Sequence, residues 1–500
     1  MRLPRALAAV VCSALALGAV VSVQHADAPD DPTARSFLRV SPATETIGGA
    51  GLTPDDIASA YGLAGGSTGT VAVATAYSNP HLAADLAVYR STFSLPACGT
   101  SDGCLTIVGQ DGGGTVPAAN AGWGEETSLD VDAVSAACPG CRILVVEAKD
   151  DTISNLGAAV DRAVAMGATA VSASWGDTEW SGWSATSSRY FTHPGVPVVA
   201  ATGDDGYTAA VFPAALPNVI AVGGTTLTST SQAASSARVQ VQDVQGDSTT
   251  TTVTSATIAA DRKALASAKQ GLASAKHRLA AVKSRLHRAT VHRAHPTSAR
   301  DALHWKHRVR DLTKATNAAK TSVRTWTTKV TAAEARLLRD VLRDSSAKAA
   351  AAAKAGQTDR TGWIETAWSD GGSGCSTVVP RPAWQPGTTC AKRGTADVAA
   401  DADPRTGIAM FDTYGTTADS GDGWMIAGGT SLAAPLVAAM LVRSGHAASY
   451  SNAQPLYAAS GAFWDVTGGS NGSCGTRLCD AGTGYDGPTG LGSPRSLASF

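Results

Sequence analysis

The stretch Gly428-Gly429-Thr430-Ser431-Leu432-Ala433-Ala434-Pro435 decides how this chain is read, and Leu436 to Val442 continue it as an apolar, helix-like run. Ser431 is thereby set at the N-terminus of a helix. The positive end of the helix dipole and free backbone N–H groups meet there, and both stabilise a developing anion. A serine so placed is a candidate nucleophile; the same string also reads as an N-capping serine on a buried helix.

A serine nucleophile needs a base. The chain has ten histidines, none followed by Gly-Thr. Six of them (His277, His287, His292, His295, His304, His307) lie in one basic helical stretch. His25 lies in an N-terminal apolar region, His81 follows a proline, His193 precedes one, and His446 comes just after the serine helix. A carboxylate pair offers the alternative. Residues 122 to 137 read Gly-Trp-Gly-Glu-Glu-Thr-Ser-Leu-Asp-Val-Asp-Ala-Val-Ser-Ala-Ala. Glu126 and Asp130, four apart, share one helix face, while Leu129, Ala133, Val134 and Ala137 supply a buried stripe. Two close carboxylates cannot both ionise easily. Such a pair can accept the serine proton and return it to a leaving amine, best at acidic pH. The bland alternative is a solvated acidic helix start. A third string, Val199-Ala200-Ala201-Thr202-Gly203-Asp204-Asp205-Gly206-Tyr207, reads as a buried strand running into a loop. Asp204, if protonated, can donate a hydrogen bond to an oxyanion; otherwise it is an Asp in a turn.

Together these strings resemble the sedolisin family, the serine-carboxyl peptidases. The Gly-Thr-Ser-x-x-x-Pro string is also the nucleophile motif of subtilisin-like peptidases, whose histidine base has no counterpart here. The resemblance implies a subtilisin-like α/β fold, a parallel sheet flanked by helices. It assigns Glu126 as general base, Asp130 as its partner, Asp204 as oxyanion acid and Ser431 as nucleophile. Ser172-Ala173-Ser174-Trp175-Gly176 with Glu179, Ala221 to Thr225, Glu365 to Trp368 and Gly371 to Gly374 fit the same family text in the same order. Cys375, before Ser376, departs from it, and the first core strand, Thr70 to Tyr77, lacks the acidic residue that relatives often carry there. The resemblance also implies one calcium ion, with carboxylates from Asp465 and Asp486 and carbonyls from Val466, Gly482 and Gly484. An all-oxygen shell of this kind suits calcium; a glycine-rich turn capped by Asp is the alternative.

The remaining features fit an exported protein. Residues 1–28 read as a signal peptide, with Arg2 and Arg5 ahead of an apolar run from Leu7 to Val23. No later apolar run approaches the roughly 18 residues that span a membrane, so no anchor is expected after cleavage. Of nine cysteines, Cys12 leaves with the signal. The other eight fall in near pairs, 98 with 104, 138 with 141, 375 with 390 and 474 with 479, which argues for four local disulfides although sequence alone leaves connectivity open. A short segment, 29–50, is expected before the peptidase core, whose two parts are 51–230 and 362–500.

Between them, residues 231–361 read as an insertion. Leu265, Leu272, Leu279 and Leu286 recur every seven residues, with Ala268, Ala275, Val282 and Ala289 three places on. That is a coiled-coil seam. Pro296 breaks it, and a second seam runs from Trp305 through Val309, Leu312, Thr316, Ala319, Val323, Trp326 and Val330 to Leu337. An antiparallel helical hairpin between Ser/Thr/Ala/Gly-rich linkers is expected. Residues 255–350 hold 21 of the 40 Lys and Arg and six acids, a net of +15, which leaves −16 on the remainder. A basic arm can attach to an anionic surface or polymer; it carries no nucleic-acid motif. The sequence thus predicts a secreted, monomeric endopeptidase acting on polypeptides. The rival is an inactive sedolisin-like protein that binds through the hairpin.

Overall fold

The computed structural model describes residues 31–41, 51–113, 116–179, 189–230, 255–354, 362–385, 390–415 and 423–500, with backbone only for 255–256, 258–259, 261–262 and 331–354. The expected signal peptide, residues 42–50 and most of the linker sequence lie outside the described residues.

Eight strands build the central sheet: β1 Thr70–Ala76, β2 Leu105–Gly109, β3 Arg142–Ala148, β4 Ala170–Ala173, β5 Val198–Ala201, β6 Val219–Ser229, β7 Trp363–Ala367 and β8 Val398–Asp401. Their order is β7-β6-β5-β4-β1-β3-β2, and β8 pairs with β6 in parallel. All pairings are parallel except β6 with β7. The strand sequences are continuous apolar runs, as both faces are covered. In β1, Val71 and Val73 join one core and Ala72 and Ala74 the other; β3 and β5 alternate in the same way.

Helix α1, Pro54–Ala60, opens with a capping box between Thr53 and Asp56. It lies on the same face of the sheet as α2, Leu82–Thr92, and α3, Ala121–Ala137. The opposite face is covered by α4, Ile153–Ala165, whose Ile153, Leu156, Ala159, Val160 and Ala163 form a stripe at helical spacing. Helix α3 starts at Asn120, whose side chain accepts from Trp123 N–H at 3.2 Å. Its small residues let it bury almost every position between the sheet and its neighbours. All four expected disulfides are present: Cys98–Cys104, Cys138–Cys141, Cys375–Cys390 and Cys474–Cys479. Cys375 thus departs from the family pattern in order to bridge.

Two long helices, α5 Ser255–Ala294 and α6 Ala299–Lys354, follow β6. Asp301 N–H donates to Ser298 Oγ at 3.1 Å and Thr297 N–H to Asp301 Oδ2 at 2.9 Å, capping α6 after Pro296. Ala268, Ala275, Ala289, Thr316 and Val330 are buried while the positions around them face solvent. His292 stacks on Trp305 at 4.5 Å, and Gly271 lies against the Trp326 ring. Both contacts join residues equidistant from the turn, which makes the pair antiparallel. Helix α7, Thr430–Ser444, packs on β4, β5, β6 and β8 and against α3.

The described chain on either side of residues 231–361 meets at one point. β6 and β7 are antiparallel neighbours with Ser229 opposite Trp363, and Thr230 N–H donates to Gly362 O at 2.8 Å. Thr230 and Gly362 are therefore neighbouring ends of the connection between β6 and β7. We propose that residues 231–361 form a unit separable from the α/β core. Replacing 231–361 with a short Asn-Gly turn is therefore expected to leave the core's cooperative thermal unfolding in place, with Tm changed by no more than a few degrees. Calorimetry checks this; an aggregated or molten product would mean that the insertion belongs to the core.

Candidate active site

Ser431 is the second residue of α7, at 0% exposure. The proline of its motif has a structural effect here. Pro435 has no N–H, so the Ser431 carbonyl receives no i+4 helical bond. Ser174 takes that place: its Oγ lies 3.3 Å from Ser431 O and 2.6 Å from Asp130 Oδ1. One hydroxyl has one proton. With Asp130 protonated, Asp130 donates to Ser174 and Ser174 donates to Ser431 O, so every atom of the chain is served.

Ser431 Oγ lies 2.9 Å from Glu126 Oε2 and 3.1 Å from the Ser174 carbonyl. Glu126 and Asp130, one turn apart on α3, are each 1% exposed. Burial pushes the Glu126 carboxyl well above its ordinary range, and nearby Asp130 pushes it further; the Ser431 bond opposes this. Burial likewise raises Asp130, against the Ser174 bond. Both carboxyls are thus pushed toward their protonated forms. β1, which contains no acidic residue, adds no carboxylate; its Thr75 instead bonds Thr127 Oγ1 at 2.9 Å.

Asp204 follows β5. Its Oδ1 accepts from Thr430 N–H at 2.8 Å and from Thr430 Oγ1 at 2.9 Å. Its buried Oδ2 has no hydrogen-bond partner among the described residues, with Arg39 Nε at 3.5 Å. Burial pushes Asp204 up to about 7; Arg39 and the Thr430 bonds pull it down, and Asp370 adds to the rise. A protonated Oδ2 is a donor placed beside Gly429. Gly429 has φ +93°, and a Cβ there would lie 2.8 Å from Asp204 Oδ2 and 1.8 Å from Phe37 O. Only glycine leaves this space open.

The four side chains singled out from the sequence thus lie around one cleft, at the carboxyl ends of β4 and β5, where open α/β sheets bind ligands. The histidines lie elsewhere: His81 bonds Thr413, His193 pairs with Asp161, and His446 Nδ1 lies 3.1 Å from Phe500 O. Sequence reasoning gave Ser174 and Thr430 no role, although both stood inside quoted motifs. It missed Phe37, Leu38 and Arg39 altogether. Phe37 N–H lies 3.1 Å from Ser431 Oγ, and Leu38 N–H donates to Glu126 Oε2 at 3.0 Å. No periodicity in 31–41 signals this.

The expected calcium ligands lie in two C-terminal segments joined by hydrogen bonds. Gly482 N–H donates to Asp486 Oδ2 at 2.8 Å and Gly484 N–H to Asp465 Oδ2 at 2.9 Å. Burial pushes Asp486 up to about 7, and the charge of Asp465 adds to that. Among the described residues no group of three or more His, Cys, Asp or Glu side chains could hold a metal. A site here would need backbone carbonyls beside the two carboxylates. Such an oxygen set fits a hard cation.

The sequence profile of the subtilase family matches residues 106–455. Kumamolisin from Bacillus sp. (strain MN-32) is 36% identical over 163 residues, 28% of this chain and 27% of that protein. The match therefore spans about a quarter of that relative's length. In three dimensions the chain is similar to Pseudomonas sedolisin, a serine-carboxyl proteinase complexed with two molecules of pseudo-iodotyrostatin, with a TM-score of 0.51, 20% identity, and coverage of 89% of this chain and 96% of that one. That likeness shows the shared fold. With that profile spanning residues 106–455, more than half of the chain, the chain belongs to the subtilase family.

Proposed function

We propose that the chain is an exported serine-type endopeptidase that hydrolyses polypeptides through Ser431. The observation that carries this reading is the buried 2.9 Å contact between Ser431 Oγ and Glu126 Oε2. Glu126 takes the Ser431 proton as Oγ attacks the substrate carbonyl, then returns it to the leaving amine. Asp130, linked through Ser174, supplies the second proton position of the pair and fixes the Ser431 backbone. Asp204, protonated on Oδ2, donates to the oxyanion. The inactive binding reading gains nothing from this contact. Four disulfides support export to an oxidising space. Among the described residues no helix is long and apolar enough to cross a membrane.

We also assign one calcium ion to Asp465, Asp486 and the carbonyls of Val466, Gly482 and Gly484. The ion would supply charge that lets both carboxylates ionise and would hold the loop; it takes no part in the reaction. We assign the basic hairpin to attachment on anionic polymers. Removing 231–361 should abolish the salt-sensitive part of binding to a dextran sulfate resin. Unchanged retention would remove this role.

The catalytic assignment is tested by hydrolysis of an unfolded protein from pH 3 to 8. Ser431→Ala and Glu126→Gln should each lower kcat by on the order of 10^6-fold, since members of one catalytic unit fail together. Asp204 must be protonated to donate, so activity should fall as pH rises through about 7. Charged or titratable groups facing it are Arg39, Asp370 and Glu126. Asp204→Asn keeps a donor at every pH and should extend the alkaline limb while losing roughly 10-fold or more at the optimum. An unshifted limb would exclude Asp204 from the oxyanion site.

Stability should follow the same groups. Asp204, Asp486, Glu147 and Glu125 are each pushed up to about 7, chiefly by burial, from ordinary values near 4. The folded state thus binds more protons than the unfolded one across that window. This stabilisation is complete below about pH 4 and is lost as pH rises through about 7. Without calcium, Tm should fall by roughly 5 °C or more between pH 4 and 8. Added calcium should recover part of the loss at pH 7, and Asp465→Ala should remove the calcium effect. Scanning calorimetry with and without chelator checks both; equal curves would count against the ion.

A further inference from the structure

Resting on the assignment of the helical pair to anionic polymers, we propose that its turn end, residues 283–311, is a binding site for a linear polymer of strong-acid groups, phosphodiester or sulfate, and that five histidines make this binding tighten in acid.

Charge along α5 and α6 is uneven. Residues 283–311 hold eight Lys and Arg and two Asp, a net of +6 with histidine neutral. They also hold His287, His292, His295, His304 and His307, five of the six histidines of residues 255–350. An imidazole ordinarily gains its charge as pH falls from about 8 to 5. With all five protonated the turn end carries +11, while the rest of 255–350 rises only from +9 to +10, through His277. Acid therefore nearly doubles the charge of one end and leaves the other almost as it was. Every one of the basic and histidine side chains of 283–311 is exposed. At the rise of an α-helix they are spread over only about 20 Å of the pair.

Few acids offset that charge. Between Asp261 and Glu334 the only ones are Asp301 and Asp311. Asp301 is engaged as the cap of α6, accepting from Thr297 N–H at 2.9 Å and from Thr297 Oγ1 at 3.2 Å. Asp311 pairs with Arg310 at 3.4 Å. The contacts of His292 with Trp305 and of Gly271 with Trp326 set one register for the two helices. In that register Arg310 is level with His287, Arg293 with His304, Thr290 with His307 and Ala302 with His295. Along the helices, Lys283, Arg288 and Arg300 stand one turn before His287, His292 and His304. Asp301 lies one turn before His304 and Asp311 one turn after His307; the other neighbours are cations or uncharged groups. A polyanion laid on this surface favours the charged imidazoles, so binding and proton uptake are linked.

Three features select the ligand. Six of the eight cations are arginines, whose planar fork grips phosphate-like oxyanions at two points. Carboxylate polymers lose charge near pH 4, as carboxyls ordinarily do, whereas phosphodiester and sulfate groups keep theirs when imidazoles are charged. Trp305, the only Phe, Tyr or Trp in 283–311, is half-buried, stacked on His292 and edged by His304 at 5.1 Å. It offers no free face on which nucleic-acid bases could stack. Attachment of this kind is firmest in the acid range in which Asp204 keeps its proton.

The experiment measures binding of the full chain at pH 5 and pH 8, over a range of salt, to immobilised dextran sulfate, poly(glycerol phosphate) and polygalacturonate. On the sulfate or the phosphodiester polymer Kd should be at least about 10-fold lower at pH 5, with a steeper salt dependence, and the tighter of the two names the group. Changing His287, His295 and His307 together to Gln spares the Trp305 stack and should remove at least about half of the pH effect. The same three changed to Arg should bind at pH 8 at least about 5-fold tighter than wild type does there. Titration of the core's own acids is common to all three proteins, so the differences report the turn end. Circular dichroism checks that helix content is retained; should the Gln protein lose it, the Arg protein decides. Equal wild-type binding at both pH values, or variants that behave as wild type, overturns this inference and leaves attachment standing. Tighter binding to polygalacturonate, to double-stranded DNA or to phosphatidylglycerol vesicles overturns the choice of partner. Binding to none of these surfaces overturns the attachment reading as well.

Discussion

A carboxyl group taken out of water beside a hydroxyl is the constraint on which the rest of the molecule depends. Glu126 and Ser431 stand on different helices, 305 residues apart, and meet at 2.9 Å with almost no exposure. Burying an ionised carboxylate is costly, and a buried acid instead holds its proton. The fold meets this demand with hydrogen bonds to Glu126 from Leu38 N–H and Ser431 Oγ, while the nearby Asp130 pushes the Glu126 carboxyl further toward its protonated form. Placing α3 and α7 on the same face of the sheet, in contact, is what makes that geometry rigid. Spacing between two packed helices is therefore also a dimension of the site.

Much of this was legible in the residues. Ser431 stood out because Gly-Thr-Ser before an apolar run puts a hydroxyl at a helix start. Glu126 and Asp130 stood out because spacing of four sets two acids on one face. The two long helices were legible from their heptads, of which Ala268, Ala275 and Ala289 are buried, and the disulfides from cysteines close in sequence. These signals are local: periodicity, spacing and turn chemistry act within a few residues.

What escaped is non-local. Ser174 links Asp130 to the Ser431 carbonyl only because Pro435 frees that carbonyl and β4 ends beside α7. The passage of 35–41 through the cleft depends on edge pairing with strands about 140 and 390 residues away, and edge pairing uses backbone groups that every residue owns. A segment recognised through its main chain leaves almost no mark on its own sequence. Expecting the core to begin near Leu52 followed from that silence, yet Phe37 is among the most buried aromatic residues.

The hydrogen bond from Thr230 to Gly362 has a mechanical meaning. If the helical pair is anchored to a surface and the core is pulled by flow or by a bound polymer, the force enters at the open end of the β6–β7 ladder. An antiparallel pair pulled from its open end yields one rung at a time, Ser229 with Trp363 first and Thr225 with Ala367 last. Those rungs form a fuse between tether and cleft. Tension would be met first at the edge of the sheet, three strands away from β1.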